Sequence, residues 1–353
     1  MNKILVINPG STSTKFAVFA DLEIVYQETI NHTAEELAQF GGIAQQFDFR
    51  KEIILKRIEE QNIATNDFAA VIGRGGLVRP IPSGVYAVND AMLHDLKHCI
   101  YPETHPCSLG GLIAHEIARH LPNCKALIAD PVVVDELQDV ARISGLPQLP
   151  RKSLFHALNH KATARRYAKD VGKAYEELNL VVAHMGGGIS VAAHRQGLVI
   201  DVNHTLDGYG PFSPERAGTL PNGELVKMCF SGAYTEQEMK KMLVGKGGLF
   251  AHTGSTYASK IAAEGSENDR TVVKAMAYTI GKEIGSMCAV LHGKVNAILL
   301  TGGIAHGEFV VNHIKEMVET FAPVVVYAGE NELQALAENA LRVLQGEKPK
   351  EYL

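Results

Sequence analysis

Cysteine is scarce in this chain. Five residues, at positions 99, 107, 124, 229 and 288, form an odd set with no C-x-x-C spacing, which argues against a disulfide framework or a cysteine-built zinc site and reads as reduced thiols in a cytosolic protein. Long apolar runs are also missing. The first lasts only from Ile4 to Ile7 before Asn8-Pro9-Gly10, too short for a signal-peptide core, and nothing reaches the ~18 uninterrupted apolar residues that a membrane span needs. No dense run of Lys or Arg appears, and 34 basic side chains stand against 39 acidic ones for a net charge of −5. A nucleic-acid footprint is therefore absent, while local sites for small anions stay open. The common nucleotide fingerprints are missing too: Lys246 lies in Gly245-Lys246-Gly247, but Lys240 stands where a P-loop needs its first glycine, and no G-x-G-x-x-G occurs.

What is present is a duplicated phrase. A short apolar strand, a tight Gly/Ser-rich turn and a second strand run from Ile4 to Phe19, with a third strand over Leu22 to Tyr26; the pattern returns from Leu180 to His194, with Leu198 to Ile200. At 353 residues, 46% of them apolar and 21% charged, the chain is long enough for two ordinary globular domains built on the two copies. Two hairpin turns without bulk, offering backbone N–H groups and hydroxyls, suit the two sides of a polyphosphate. The pattern points to a two-lobed phosphotransferase.

Between the copies, periodicity predicts a helix over Phe47 to Gln61, a strand over Phe68 to Ile72, a helix over Leu109 to Leu121 and a strand over Lys125 to Ala129. Gly145 to Lys152, with prolines at 147 and 150, marks the lobe boundary. The first lobe is thus expected over 1–150 and the second over 151–332, with a C-terminal helix within 333–353 packing back on the first. In the second lobe, helices are expected at Leu154 to Val171, Thr235 to Leu243 and Asn268 to His292, and strands at Ala297 to Leu300 and Val324 to Tyr327.

The turns and strand ends carry the candidate chemistry. Ser11 and Ser13 offer hydroxyls and Lys15 a cation, although hydroxyl-rich turns are common. Gly186, Gly187 and Gly188 permit positive φ and a close backbone approach, with a loose hairpin as the plainer reading. Gly302 and Gly303, after an apolar strand, fit a place where backbone meets a flat ligand such as a nucleoside, or merely a turn. Arg74 and Arg216 sit among Gly and Pro, where a guanidinium suits carboxylates and phosphoryl oxygens, or solvent. Asp130 before Pro131 reads also as a turn former. His156 and His160 stand four apart on the expected helix, but the Glu of a zinc-protease pattern is missing between them. His184, beside the glycines, is the better phosphate contact.

In order along the chain, Val6 to Lys15, Val182 to Ser190 and Leu299 to Gly307 resemble the first phosphate motif, the second phosphate motif and the adenosine motif of the acetokinase family, the acetate, propionate and butyrate kinases within the actin and sugar kinase superfamily. The resemblance spans nearly the whole chain. It implies an α/β, two-lobed actin-like ATPase (ribonuclease H-like) fold of duplicated βββαβαβα domains with a central cleft that closes on its ligands. It also implies ATP/ADP and Mg²⁺ as cofactors, a homodimer or higher homo-oligomer, and a cytoplasmic location, with neither nucleic acid nor membrane as partner.

Carried over by position, Asn8, Ser11, Ser13 and Lys15 line the phosphate and metal side, and Gly186, Gly187, Gly188, Gly302, Gly303 and Ile304 line the nucleotide. Arg74 falls on the arginine that binds the substrate carboxylate and Arg216 on the second active-site arginine. Asp130 falls on the catalytic aspartate, His156 on a histidine near the transferred phosphoryl, and His184 on the histidine opening the second phosphate motif. Glu332 falls on the magnesium-site glutamate, with Glu330 close enough to compete. The family's butyrate kinases are the nearer match, through His105 to Gly111 and Gly210 to Arg216. Gly75 and Gly76 stand where acetate kinases carry bulkier valines, so space for a longer acyl chain is expected. The reaction implied is reversible in-line transfer of the ATP γ-phosphoryl to butanoate. Isobutyrate, propionate or acetate are the alternative acceptors, and a non-catalytic actin-like nucleotide switch is the rival of another class.

Overall fold

A computed structural model describes residues 1–98 and 105–353, so Cys99 lies outside the described residues. The chain divides into two compact units, Met1–Val134 with Asn331–Leu353, and Asp135–Glu330. Among the described residues no helix is long and apolar enough to cross a membrane.

The first unit is built on a six-stranded sheet. Its strands are β1 (Lys3–Pro9), β2 (Ser13–Ala20), β3 (Glu23–Asn31), β4 (Phe68–Arg74), β5 (Val85–Ala87) and β6 (Lys125–Ala129), in the order β3-β2-β1-β4-β6-β5. β1 pairs antiparallel with β2 and parallel with β4, which pairs parallel with β6. Ile4 to Ile7 are fully buried, because a central strand covered on both faces takes a continuous apolar run rather than an alternating one. The helices Ser108–Ala118 and Glu332–Leu344 both pack on β1 and β4.

The second unit repeats the plan. Its strands are β7 (Asn179–Met185), β8 (Ile189–Arg195), β9 (Leu198–Val202), β10 (Ala297–Gly302) and β11 (Val324–Ala328), in the order β11-β10-β7-β8-β9. Both sheets therefore share one connectivity, a three-stranded antiparallel meander extended on its first strand by two parallel strands; β5 is an addition at one edge. The helix Glu267–Val290 packs on β7 and β8, contributing Val273, Ala277, Ile280 and Ile284 to the apolar cluster over one sheet face. The other face is covered by Ala157–Asp170, through Ala164 and Ala168.

The division lies ahead of the Gly145 to Lys152 stretch where the sequence suggested it, for a reason visible in the hydrogen bonds. Residues after Val134 are fastened to β9: Gln138 donates its N–H to the Ile200 carbonyl, and Arg151 pairs with Asp201 at 2.7 Å. Lys161 and Glu136 form a buried ion pair at 2.6 Å, with the Glu136 carboxylate also accepting from the Val199 N–H. Glu332, expected at the end of the second lobe, belongs to the first unit, where its carboxylate is bound by Asn8 and Arg74.

Several helices went unread in the sequence, including Asp90–His98, Asn222–Cys229 and Glu308–Val318. The last buries Val310, Val311, Ile314 and Val318 at helical spacing. Asn222–Cys229 buries nothing, so no apolar period announces it.

Candidate active site

In the first unit the candidate residues gather at the carboxyl ends of three adjacent parallel strands, where ligands bind in α/β sheets. Asn8 is in β1, Arg74 ends β4 and Asp130 follows β6; register pairs Ile7 with Gly73 and Arg74 with Ala129. The Asn8 amide donates to Glu332 Oε2 at 2.5 Å, and Arg74 Nη1 sits 2.9 Å from Oε1 and 3.1 Å from Oε2 of the same carboxylate. One guanidinium nitrogen here reaches both oxygens of a carboxylate, so this strand end already holds an anion against a cation.

Asp130 is buried and takes φ 39°, in the left-handed region. Its carboxylate accepts from the Gly84 N–H at 2.8 Å, and its own N–H donates to the Gly84 carbonyl at 3.1 Å. The residue makes a turn, and it puts a carboxylate at the end of β6, the strand that pairs with Arg74.

The turn between β1 and β2 is closed by Gly10 N–H donating to the Ser13 carbonyl. Ser11 and Lys15 are exposed and Ser13 half-buried. Beneath it lies a residue that sequence reasoning missed. Arg50, fully buried, donates to the Ser13 carbonyl at 2.8 Å, to Thr14 Oγ1 at 3.0 Å and to Gln46 Oε1 at 2.9 Å. Burial lowers its pKa from the ordinary arginine value. The signal was present: Arg50, Ile54 and Ile58 are four apart, and all three are buried in the helix Phe47–Glu60. A cation that shares an apolar stripe is an inward-facing cation.

In the second unit the equivalent strand ends carry His184 in β7 and Gly302 in β10. Gly302 takes φ 90°, and a Cβ there would meet the Met185 carbonyl oxygen at 2.4 Å. Gly303 is exposed with open space around its Cβ position, and Ile304 is half-buried against the apolar cluster. None of Gly186, Gly187 and Gly188 takes a positive φ, which corrects half of the sequence argument for them. Close approach is what they provide: a Cβ on Gly188 would lie 2.0 Å from Arg216 Nη1, and one on Gly186 2.9 Å from Glu330 Oε1. Arg216 donates to the Thr205 carbonyl at 2.6 Å, and Ser213 Oγ, which accepts from the Arg216 N–H at 3.2 Å, donates to the Gly187 carbonyl at 2.6 Å, tying the arginine's backbone to the glycine turn.

His156 is not within a helix, as the sequence suggested, but caps the helix Ala157–Asp170 from its N-terminal side. There its ring stands 4.3 Å from that of His184, and His184 Nε2 lies 3.3 Å from Glu330 Oε1. His184 is buried, and its Nδ1 has no hydrogen-bond partner among the described residues. His156 and His160 share no metal geometry. Both instead bond Ser190 Oγ at 2.8 Å, and among the described residues no three His, Cys, Asp or Glu side chains converge on a metal position.

The expected acyl hollow is corrected. A Cβ on Gly75 would meet the Pro131 Cβ at 2.7 Å, and one on Gly76 would meet the Ser108 Cα at 2.3 Å. The missing side chains are replaced by protein, so these glycines make room for Pro131 and for the start of the helix Ser108–Ala118. Among the described residues Cys107, Cys124, Cys229 and Cys288 are free thiols, and burial pushes the first, second and fourth up to about 11. At neutral pH Cys107, Cys124 and Cys288 are protonated and unreactive.

Residues 148–341 match the profile of the Acetokinase family. The chain is 53% identical over 350 residues to a probable butyrate kinase of Bacteroides thetaiotaomicron, covering 98% of each. It is 52% identical over 356 residues to butyrate kinase 1 of Clostridium acetobutylicum, covering 100% of each. Among solved structures it resembles acetate kinase of Porphyromonas gingivalis (TM-score 0.78, 18% identity, 98% of this chain and 100% of that one). A propionate kinase of Francisella tularensis follows (TM-score 0.75, 19% identity, 96% and 99%). These distant structures bear on the fold, which is the duplicated, two-domain actin-like ATPase fold. On its profile match and its full-length relatives, the chain belongs to the acetokinase family.

Proposed function

We propose that this chain transfers the γ-phosphoryl of ATP to butanoate, giving butanoyl phosphate and ADP, and that it runs the reaction in both directions. The observation that carries the reading is more than half identity, end to end, with butyrate kinases, in a chain that places Arg74, Asp130 and His184 at strand ends and His156 at a helix start.

Butanoate is ionised at neutral pH, so its attack needs no general base. One carboxylate oxygen forms a bond to the γ-phosphorus while the bond from that phosphorus to the β,γ-bridging oxygen breaks; the electron pair leaves with ADP and no proton moves. The barrier is the meeting of two anions and the charge on the three equatorial oxygens. In this reading Arg74 releases Glu332 to bind the butanoate carboxylate. Arg216, half-buried and fixed by the Thr205 carbonyl, faces the transferred phosphoryl with His156 and His184. The turn from Ser11 to Lys15 and the glycines at 186–188 hold phosphate oxygens; Gly302, Gly303 and Ile304 bound the nucleoside.

Asn8 and Glu332 fit a Mg²⁺ ion, because they offer hard oxygen donors at a single carboxylate, and Mg²⁺ takes its remaining ligands from water and phosphate. When bound, it neutralises phosphate charge. The pairing of Glu332 with Asn8 and Arg74, and of Glu330 with His184, supports Glu332 for this role. A cytoplasmic location and a homodimer or larger homo-oligomer belong to the same reading, the second checked by sedimentation equilibrium. Hydroxamate formation from butanoate, ATP, Mg²⁺ and hydroxylamine tests the activity: product in the presence of all four is expected, and its absence with folded protein overturns the reading.

A further inference from the structure

Behind the glycine turn of the second unit runs a continuous line of side chains that the reaction as described does not use. Tyr175 OH lies 2.6 Å from His194 Nδ1, and His194 Nε2 lies 3.2 Å from His160 Nδ1. His160 Nε2 lies 2.8 Å from Ser190 Oγ, and Ser190 Oγ 2.8 Å from His156 Nδ1. His160, His194 and Ser190 are fully buried and Tyr175 nearly so. We propose that this line is a one-directional hydrogen-bond relay that holds His156 in the tautomer with its proton on Nε2, making Tyr175, His194, His160 and Ser190 positioning residues for the phosphoryl transfer.

Proton counting leaves two arrangements. Ser190 has one hydroxyl proton, and its partners among the described residues are the two imidazoles. If it accepted from both, its own proton would be buried without an acceptor, which is unfavourable. One imidazole therefore donates to Ser190 and the other accepts from it. A single proton also bridges His194 and His160, provided both rings are neutral. Desolvation is the main reason that they are, holding both well below the ordinary imidazole value; His184, Lys161 and Arg165 nearby add charge repulsion.

The direction is set at Tyr175. A phenol hydroxyl donates more strongly than it accepts, and an imidazole nitrogen is its best neutral acceptor. With Tyr175 donating to His194 Nδ1, His194 must carry its proton on Nε2 and donate to His160. His160 must do the same toward Ser190, and Ser190 must donate to His156 Nδ1. The tautomer of an imidazole follows the bond made by its other nitrogen, so His156 ends the line as an Nε2–H donor. The opposite direction would give His156 a lone pair at Nε2, which repels phosphoryl oxygens. Each bond polarises the next in the same sense.

The value of that tautomer rests on the phosphoryl role proposed above for His156, but the relay can be read without activity. In full-length protein labelled with ¹⁵N-histidine, two-bond ¹H–¹⁵N correlation distinguishes the tautomers, and His156→Asn assigns the His156 signal by its loss. At neutral pH, His156, His160 and His194 are all expected to show a bare Nδ1 and a protonated Nε2. A protonated Nδ1 on any of them, or a doubly protonated His160, overturns the relay even if butanoyl phosphate is formed. If the spectrum is as expected and no substrate turns over, the relay stands and the butyrate kinase reading falls. In turnover, Ser190→Ala is expected to lower kcat roughly 10- to 100-fold, the worth of comparable orienting partners of metal-bound imidazoles. KM values should change little, and Ser190→Thr should restore most of the rate. Equal loss in both variants, or a loss confined to KM, overturns the positioning role.

Discussion

The β1–β2 and β7–β8 hairpins are one design with two kinds of support. Register pairs Asn8 with Lys15 across the first and His184 with Ser190 across the second, so the members of each pair occupy equivalent places. Behind the first turn stands a buried cation, Arg50, which takes up the Ser13 carbonyl and the Thr14 hydroxyl. Behind the second stand neutral imidazoles, His160 and His194, joined through Ser190 to His156. Duplication thus fixes where a strand end lies, while the side chains packed beneath it decide whether that end is braced by charge or by oriented neutral dipoles. A charged brace is indifferent to tautomer; a neutral one can set it.

The largest effect expected on breaking this contrast is at Arg216, which lies on Gly188 and bonds the Thr205 carbonyl. By analogy with arginine fingers, Arg216→Ala should lower kcat by roughly 10³–10⁵-fold, about 4–7 kcal/mol, with a circular-dichroism melt close to wild type. A loss below tenfold would remove Arg216 from the transition state. Under the first turn, Arg50→Met strips partners from a backbone carbonyl, a hydroxyl and an amide at once. Since a hydrogen bond from a charged group is worth about 1.5–3 kcal/mol, urea unfolding should lose at least that much stability. An unchanged midpoint would mean that the charged brace is dispensable.

The neutral brace is expected to show itself in pH. His160 and His194 are held well below the ordinary value of 6.5, chiefly by desolvation. As pH falls through that value, the unfolded chain binds protons that the folded core refuses. Stability should therefore decline by up to about 1.4 kcal/mol per pH unit for each ring. Above pH 7 neither form is protonated and the effect vanishes. Thermal melts from pH 7.5 to 5 should show a steeper decline for wild type than for His194→Gln, and parallel curves would contradict it. The smallest structural effect is expected at Asp130→Asn, because asparagine tolerates the left-handed φ of 39° and keeps an oxygen for the Gly84 N–H. Stability should hold to within about 0.5 kcal/mol, while kcat falls about tenfold or more, the worth of one lost charged hydrogen bond. Full activity would confine Asp130 to a turn.

Those features that depend on neighbours in the chain were legible in the sequence. The duplicated strand–turn–strand, the strand Lys125–Ala129 and the placement of Arg74 at a strand's end follow from alternation, Gly and Pro. What resisted reading depends on contacts between distant segments. Arg50 gave a clue in its spacing from Ile54 and Ile58, but apart from Gln46 its partners lie in β2 and the turn before it. Tyr175 and His194 gave none, since a histidine becomes a relay member only when a strand and a helix lay it beside another. Gly75 and Gly76 misled for the same reason: an absent side chain signals space only if nothing else fills it, and Pro131 and Ser108 do.

The acyl preference is therefore the most exposed part of the proposal, and side-by-side kcat/KM values for acetate, propionate, butanoate and isobutyrate, followed as hydroxamate, test it most directly. With a methylene in an apolar pocket worth about 1–3 kcal/mol, butanoate should exceed acetate by roughly tenfold or more, with propionate between them. Acetate equal to or better than butanoate, or no acyl phosphate from any of the four acids, would contradict a butyrate kinase.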